Sequence, residues 1–407
     1  MNNKLPSLLR GWVIWFLPAF FMLYQYGIQV LPSIKIPYLQ SHYLINDFEI
    51  GMLNTSYLLP YALLQIVAGI LIDNYSVRKI LIGAMLLFSF GTLMIFFSNQ
   101  MSNYLLYVSG RFCMGAAASS GFIGTLYLAN LWLPKKFYQL AVSLTEMMSV
   151  SGVFIIVLIS NYLLHFVDWS SLILINFIFC LGLTTLFWLT IIDVSKSSSL
   201  KINTVITNFK SLSKNKNLWL CALYGGFAFA HMIVLTNVWR VDFLEAHYHL
   251  SQYDATITNG YIIVGYIIGG PLYGLMAMKT QKITLLIMIS AIIEFVLLFT
   301  CHFVVTHIVT KIIFYFFVGF FTSAVTLCFS LIKRLVDNSL LATAIGLVNM
   351  LQLLLGMLLT PIVGELLDVF SGDYKKASSL VVLFSFFAVI LSVLLWRRTE
   401  ECNAMYK

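Results

Sequence analysis

Gly69-Ile70-Leu71-Ile72-Asp73-Asn74-Tyr75-Ser76-Val77-Arg78-Lys79 is the stretch on which the reading of this chain turns. It is a short polar turn between two long apolar runs. Asp73, Arg78 and Lys79 are the only charges between Glu49 and Arg111. Apolar runs of ~20 residues, with charge confined to the turn that joins them, are what a chain carries when it crosses a bilayer, turns in water and crosses back.

Composition extends this to the whole chain. Of 407 residues, 60% are hydrophobic and only 10% charged, against about 25% charged in soluble domains. The net charge of +8 therefore points to biased loops of an integral membrane protein rather than to nucleic acid. Cys113, Cys180, Cys221, Cys301 and Cys328 lie in apolar runs and Cys402 in the tail, with no C-x-x-C pair, so neither a disulfide framework nor a zinc site is indicated. There is no P-loop, H-E-x-x-H or G-x-S-x-G, and hence no sign of bound nucleotide, cofactor or hydrolysis. No catalytic or metal-binding residue is expected, and the chain is not read as an enzyme. After Arg10 the apolar run has no small-residue cleavage site, so it reads as a first spanning helix.

Twelve spans are predicted, over 12–36, 49–72, 79–98, 104–130, 137–163, 170–192, 217–241, 254–278, 283–303, 308–332, 339–363 and 377–396. This divides the chain into a first six-helix bundle, 1–193, a polar linker, 194–216, and a second six-helix bundle, 217–407. With the N-terminus inside, the inner loops hold Lys4, Arg10, Arg78, Lys79, Lys135, Lys136, the linker lysines, Lys279, Lys282, Lys333, Arg334, Arg397, Arg398 and Lys407, which is 18 of 24 Lys and Arg. That bias predicts a cytoplasmic linker and cytoplasmic termini. A shift of 205 residues places Asn46 on Ser251, Glu49 on Asp254, Asn54 on Asn259, Tyr61 on Tyr266 and Gly69 on Gly274. The first two pairs have the form of helix starts, a capping residue followed three positions later by an acid, so the halves read as an internal repeat.

With the turn, the repeat and the spans in place, a family resemblance can be drawn. G-x-x-x-D followed by a basic pair resembles the loop between the second and third helices of the major facilitator superfamily (MFS). Gly69, Asp73, Arg78 and Lys79 match its gating motif, while Asn74 and Ser76 depart from it. Gly110-Arg111-Phe112-Cys113-Met114-Gly115, followed by Leu131-Trp132-Leu133-Pro134, resembles the family's fourth helix. The glycine-proline motif of drug antiporters is absent from Ser149-Val150-Ser151-Gly152-Val153. Segments such as Gly269-Gly270-Pro271-Leu272-Tyr273-Gly274 and Ala344-Ile345-Gly346-Leu347-Val348-Asn349-Met350 resemble a bacterial branch similar to the lysosomal dipeptide carrier of animals. The resemblance implies an all-α membrane fold of two pseudo-symmetric six-helix bundles. It implies a monomer in a bacterial inner membrane that moves a small organic solute, an amino acid or short peptide, by alternating access with protons as the coupling ion. Rival readings are a siderophore or drug exporter, a facilitated-diffusion uniporter, and a channel or receptor built on the same fold.

Ionisable groups inside a membrane normally face a cavity or a partner. In the fourth run Arg111 is expected either to clamp a substrate carboxylate or to pair with Glu146. Glu146 in the fifth run could bind an amine or carry a proton. His231 could line the path, bind substrate or carry a proton, or it could simply pack. Glu294 in the ninth run is a third proton-coupling candidate or a structural group. Arg240 is expected to snorkel toward the interface. In the first run Gln25 and Gln29 share a face beside Tyr24 and are expected to line the substrate path, as are Asn237, Asn349 and, less strongly, Gln352. Asp73 is expected close to the start of the eleventh helix near Asn338-Ser339, where unpaired N–H groups favour a carboxylate.

Overall fold

The computed structural model describes residues 8–192, 207, 210–280 and 282–405. Among them are eleven helices long and apolar enough to cross a membrane: α1 Leu8–Tyr43, α3 Val77–Met101, α4 Tyr104–Trp132, α5 Lys135–Leu163, α6 Trp169–Thr190, α7 Lys216–Tyr248, α8 Gln252–Lys279, α9 Ile283–Phe303, α10 Ile308–Leu335, α11 Asn338–Val369 and α12 Tyr374–Glu400. A twelfth span, α2, is the pair Phe48–Leu63 and Gln65–Asn74, bent by 41°. At the break Leu64 has ψ of 0°, well off the helical value of about −42°, so the ladder is interrupted there. Each predicted run falls within one of these helices. Most helices run further than the apolar count, because a helix continues into polar residues once its cap allows. Of the predicted linker, 194–206, 208 and 209 lie outside the described residues.

The caps explain where helices begin. Asn46 Oδ1 accepts from the Glu49 N–H at 3.0 Å, and Glu49 Oε2 accepts from the Asn46 N–H at 2.9 Å, a reciprocal box at the head of α2. Its repeat mate Ser251 caps α8, accepting from the Asp254 N–H at 3.1 Å. Asn103, Asp168 and Asn215 cap α4, α6 and α7 in the same way. Each satisfies a backbone donor that the helix leaves unpaired.

Two compact units result. One comprises Met1–Ala141, Met148–Val205 and Ser339–Gly346; the other comprises Val142–Met147, Ile206–Asn338 and Leu347–Lys407. Thus the head of α11 packs inside the first unit, and a short piece of α5 packs inside the second. Apolar side chains such as Leu158, Trp188 and Val296 are exposed, as they must be where the solvent is lipid. Hydrophobicity then gives little drive for helix association, and close backbone contact takes its place. In the first unit a Cβ on Gly115 would strike the Tyr57 carbonyl; in the second, a Cβ on Gly319 would strike the Ile262 carbonyl. Tyr57 and Ile262 are 205 residues apart, so the repeat holds at the level of helix contacts.

Candidate functional site

The opening turn is built around a carboxylate. Asp73 ends α2, where it is buried. Its Oδ1 accepts from the Ala342 N–H at 3.0 Å, and its Oδ2 accepts from the Thr343 N–H at 2.8 Å and the Thr343 hydroxyl at 2.6 Å. These are first-turn donors of the α-helical part of α11, Leu341–Val369. A carboxylate there satisfies orphan N–H groups and opposes the helix dipole. Contact falls a few residues past Asn338-Ser339 because a 3₁₀ turn, Asn338–Leu340, precedes the helix. Gly69 permits the approach: a Cβ there would stand 2.5 Å from the Ala342 carbonyl oxygen and 2.7 Å from the Thr343 Cα. Arg78 turns elsewhere and donates to the Trp188 carbonyl at the end of α6, while Lys79 is exposed.

Arg111 is fully enclosed in the first unit. Its Nε, Nη1 and Nη2 donate to the carbonyls of Leu53, Ile28 and Gln29 at 3.2, 3.1 and 2.6 Å, and its guanidinium lies 4.6 Å from the centre of the Tyr57 ring. The local reason is Pro32. In an α-helix the Ile28 carbonyl would accept from the N–H of residue 32, which proline lacks. There α1 tightens into a 3₁₀ turn, Leu31–Lys35, and Arg111 takes the freed carbonyl. Neither a substrate carboxylate nor Glu146 is among the guanidinium's partners. Gln25 is fully buried, with its amide oxygen accepting from the Tyr57 hydroxyl. Tyr24 donates to Asn176 Oδ1 at 2.8 Å. Gln29 is half-buried, and its backbone, not its side chain, meets Arg111.

In the second unit His231 and Glu294 meet, with Nε2 and Oε1 3.1 Å apart and both residues about 1% exposed. The same Nε2 lies 2.9 Å from the Thr322 hydroxyl, which donates onward to the Val318 carbonyl. Helices α7, α9 and α10 each contribute one member. After His231 the α7 backbone becomes a π-helix, Met232–Trp239, a form frequent at functional positions. Asn237 is exposed on it. Arg240 follows, and the expectation of snorkelling is corrected: it is 3% exposed, donates to the Thr236 hydroxyl at 2.9 Å and lies 4.7 Å from the centre of the Tyr315 ring. Aromatic and hydroxyl partners inside the unit make burial of its charge tolerable. Lys311, which sequence reasoning left aside, is likewise buried and donates to the Cys301 carbonyl at 2.8 Å.

Glu146 is half-buried in the second unit and has Tyr266 as an electrostatic neighbour. Its carboxylate makes no ion pair with a described residue. Asn349 and Gln352 lie one turn apart on α11, 6% and 4% exposed. Thr322, Ala342 and Thr343 were not singled out from sequence. For Ala342 and Thr343 the available signal was a helix start lacking an acidic residue of its own in the first turn.

Long apolar helices with buried ionisable groups define a polytopic membrane transporter rather than a soluble binding module. The chain belongs to the Major Facilitator Superfamily, whose family profile matches residues 15–361. It is a multi-pass integral membrane protein. It is 28% identical over 135 residues to the uncharacterized transporter YybO of Bacillus subtilis (strain 168), a match spanning 33% of this chain and 30% of that protein. Among solved structures, it is similar to the E. coli fucose:proton symporter FucP, with a TM-score of 0.77, 16% identity, and coverage of 94% of this chain and 98% of that one. FucP in an outward conformation gives a TM-score of 0.75 at the same identity and coverage.

Proposed function

We propose that this chain is a secondary active transporter that carries a small carboxylate-bearing solute, an amino acid or short peptide, with protons as the coupling ion. This extends the resemblance to the branch similar to the lysosomal dipeptide carrier. The observation that carries the reading is Glu146. A carboxylate without an ion-pair partner, half-buried in an apolar helix, is costly unless a cation or a proton visits it. A solute amine supplies the first and the coupling ion the second. Asn349 beside it, with Gln352, would bind the solute's polar atoms, and His231 with Glu294 would hold a second exchangeable proton. Asn237 and Gln29 remain candidates for the path. Alternating access would work through Asp73: its grip on Ala342 and Thr343 is made in one state and released in the other. We place both termini on the cytoplasmic side of a bacterial inner membrane, from the distribution of Lys and Arg, and read the working unit as a monomer.

The test is counterflow in proteoliposomes with labelled amino acids, dipeptides and a sugar, with and without an imposed pH gradient. The expected result is trans-stimulated exchange of an amino acid or peptide, and accumulation that collapses when the gradient does. Exchange of the sugar alone would overturn the substrate class. Exchange without pH-driven accumulation would overturn coupling and leave a uniporter. Flux without trans-stimulation would overturn the carrier itself.

A further inference from the structure

The first unit contains a cavity of about 20 Å³ walled by residues of α1, α3, α4 and α6, among them Pro32, Thr92, Tyr107, Arg111, Trp169 and Asn176. One water needs roughly 10–15 Å³ of such space, so the cavity takes a single particle of about that size. Its free polar capacity is nearly all donor. Trp169 is 4% exposed, and its Nε1–H has no hydrogen-bond partner; an indole nitrogen can only donate. Arg111 is 1% exposed and makes three hydrogen bonds to carbonyls, which leaves two of a guanidinium's five N–H groups. No described carboxylate pairs with it.

The acceptors on the wall are already engaged. Asn176 Oδ1 takes the Tyr24 hydroxyl, and its amide donates to the Leu172 carbonyl. Thr92 donates to the Phe88 carbonyl. Ile28, Leu31, Ile95, Met114 and Ile173 complete an apolar lining. Water placed here would find donors but poor homes for its own hydrogens. An anion needs only donors, and it would neutralise a buried cation that is otherwise uncompensated.

We propose that this cavity is a halide site, filled by chloride, held by the Trp169 indole N–H and the remaining N–H groups of Arg111. The site is separate from the residues assigned to the solute and does not rest on that assignment. Bound chloride would tie α6 to the junction where α1 tightens at Pro32.

The experiment uses the full chain in detergent. Thermal stability is titrated with potassium chloride against potassium gluconate at constant ionic strength, then with bromide, for the wild type and Trp169→Phe, which keeps the ring and removes the donor. Chloride and bromide should stabilise the wild type saturably, since a ligand bound only to the folded state raises its stability. The half-effect concentration should rise about tenfold or more in Trp169→Phe, the loss expected for a hydrogen bond to a charged group. Bromide-soaked wild-type crystals should show an anomalous peak between Trp169 and Arg111, a readout that needs no variant. Equal stability in all salts, an unchanged response in Trp169→Phe, or bromide density only elsewhere would each overturn the site and leave a water pocket. Competition of the halide effect by the transported solute would instead show that the cavity is that solute's carboxylate subsite, which also overturns the halide assignment.

Discussion

Asp73 and Thr343 are joined twice: one carboxylate oxygen accepts both the Thr343 N–H at 2.8 Å and its hydroxyl at 2.6 Å. The residues are 270 positions apart, yet the geometry is that of a helix cap whose capping side chain comes from elsewhere in the chain. A cap lent in this way holds the helix head only while the lender is in place.

Asp73→Asn keeps the size but removes the charge and half of the accepting capacity. The amides of Ala342 and Thr343 should exchange with solvent about tenfold faster, corresponding to a loss of about 1.4 kcal/mol. Solute turnover should slow while affinity holds. Hydrogen exchange of the 339–346 segment decides it; equal exchange in the two proteins would reduce Gly69–Lys79 to a topogenic loop.

Gly69→Ala tests the same contact without touching charge. The new methyl would stand 2.5 Å from the Ala342 carbonyl oxygen, whereas Gly83 has nothing within 4 Å of its Cβ position. Gly69→Ala should reproduce the exchange and turnover defects of Asp73→Asn, and Gly83→Ala should be silent. A normal transport rate in Gly69→Ala would mean that the close approach is not needed for turnover.

For the His231–Glu294 pair, the single and double variants should differ in kind. Breaking a buried pair from one side costs about 3–5 kcal/mol, whereas replacing both members with apolar residues is often neutral. His231→Leu or Glu294→Leu should therefore lower the thermal midpoint sharply, and the double variant should recover most of it. If the pair carries a proton, the recovered double variant should exchange solute yet fail to accumulate it. Full accumulation in that protein would remove the pair from the coupling scheme.

Arg111→Lys loses the fork that reaches three carbonyls and should destabilise the first unit by about 3 kcal/mol, given ~1.5–3 kcal/mol for a hydrogen bond to a charged group. Pro32→Ala restores an N–H that the Ile28 carbonyl can use, so it should partly rescue Arg111→Lys while changing the wild type less. Purely additive thermal midpoints would show that Arg111 is not answering the proline.

Orientation can be read by labelling single cysteines at Lys136 and Lys376, both exposed. An impermeant reagent added outside should reach the Lys376 position and not the Lys136 position. The opposite pattern would reverse the placement of the termini.

Residue type made some features legible and left others hidden. Long apolar runs show the spans because lipid demands them, and Asn46 and Ser251 show helix starts because capping is local. The partnership of His231 with Glu294 leaves no such trace. The two residues are 63 positions apart on different helices, and each looks alone in its own apolar run. Arg111 was harder still, since its partners are backbone carbonyls, which every residue possesses. The informative residue was Pro32, which withholds the N–H that would have occupied one of them. Arg240 was misread because charge near the end of an apolar run looks like an interface anchor, and nothing local announces a π-helix before it.

That π-helix, Met232–Trp239, amounts to an extra residue accommodated in the winding of α7. Each residue of an α-helix advances the direction of the side chains by about 100°. Deleting one residue within 232–239 would let the segment rewind as α-helix, and everything beyond it would then face about a quarter-turn away. Arg240 would leave the Tyr315 ring, while His231, on the near side, would keep Glu294. The bulge thus works as a phase-setter, fixing the angular offset between the buried pair and the buried guanidinium on a single helix.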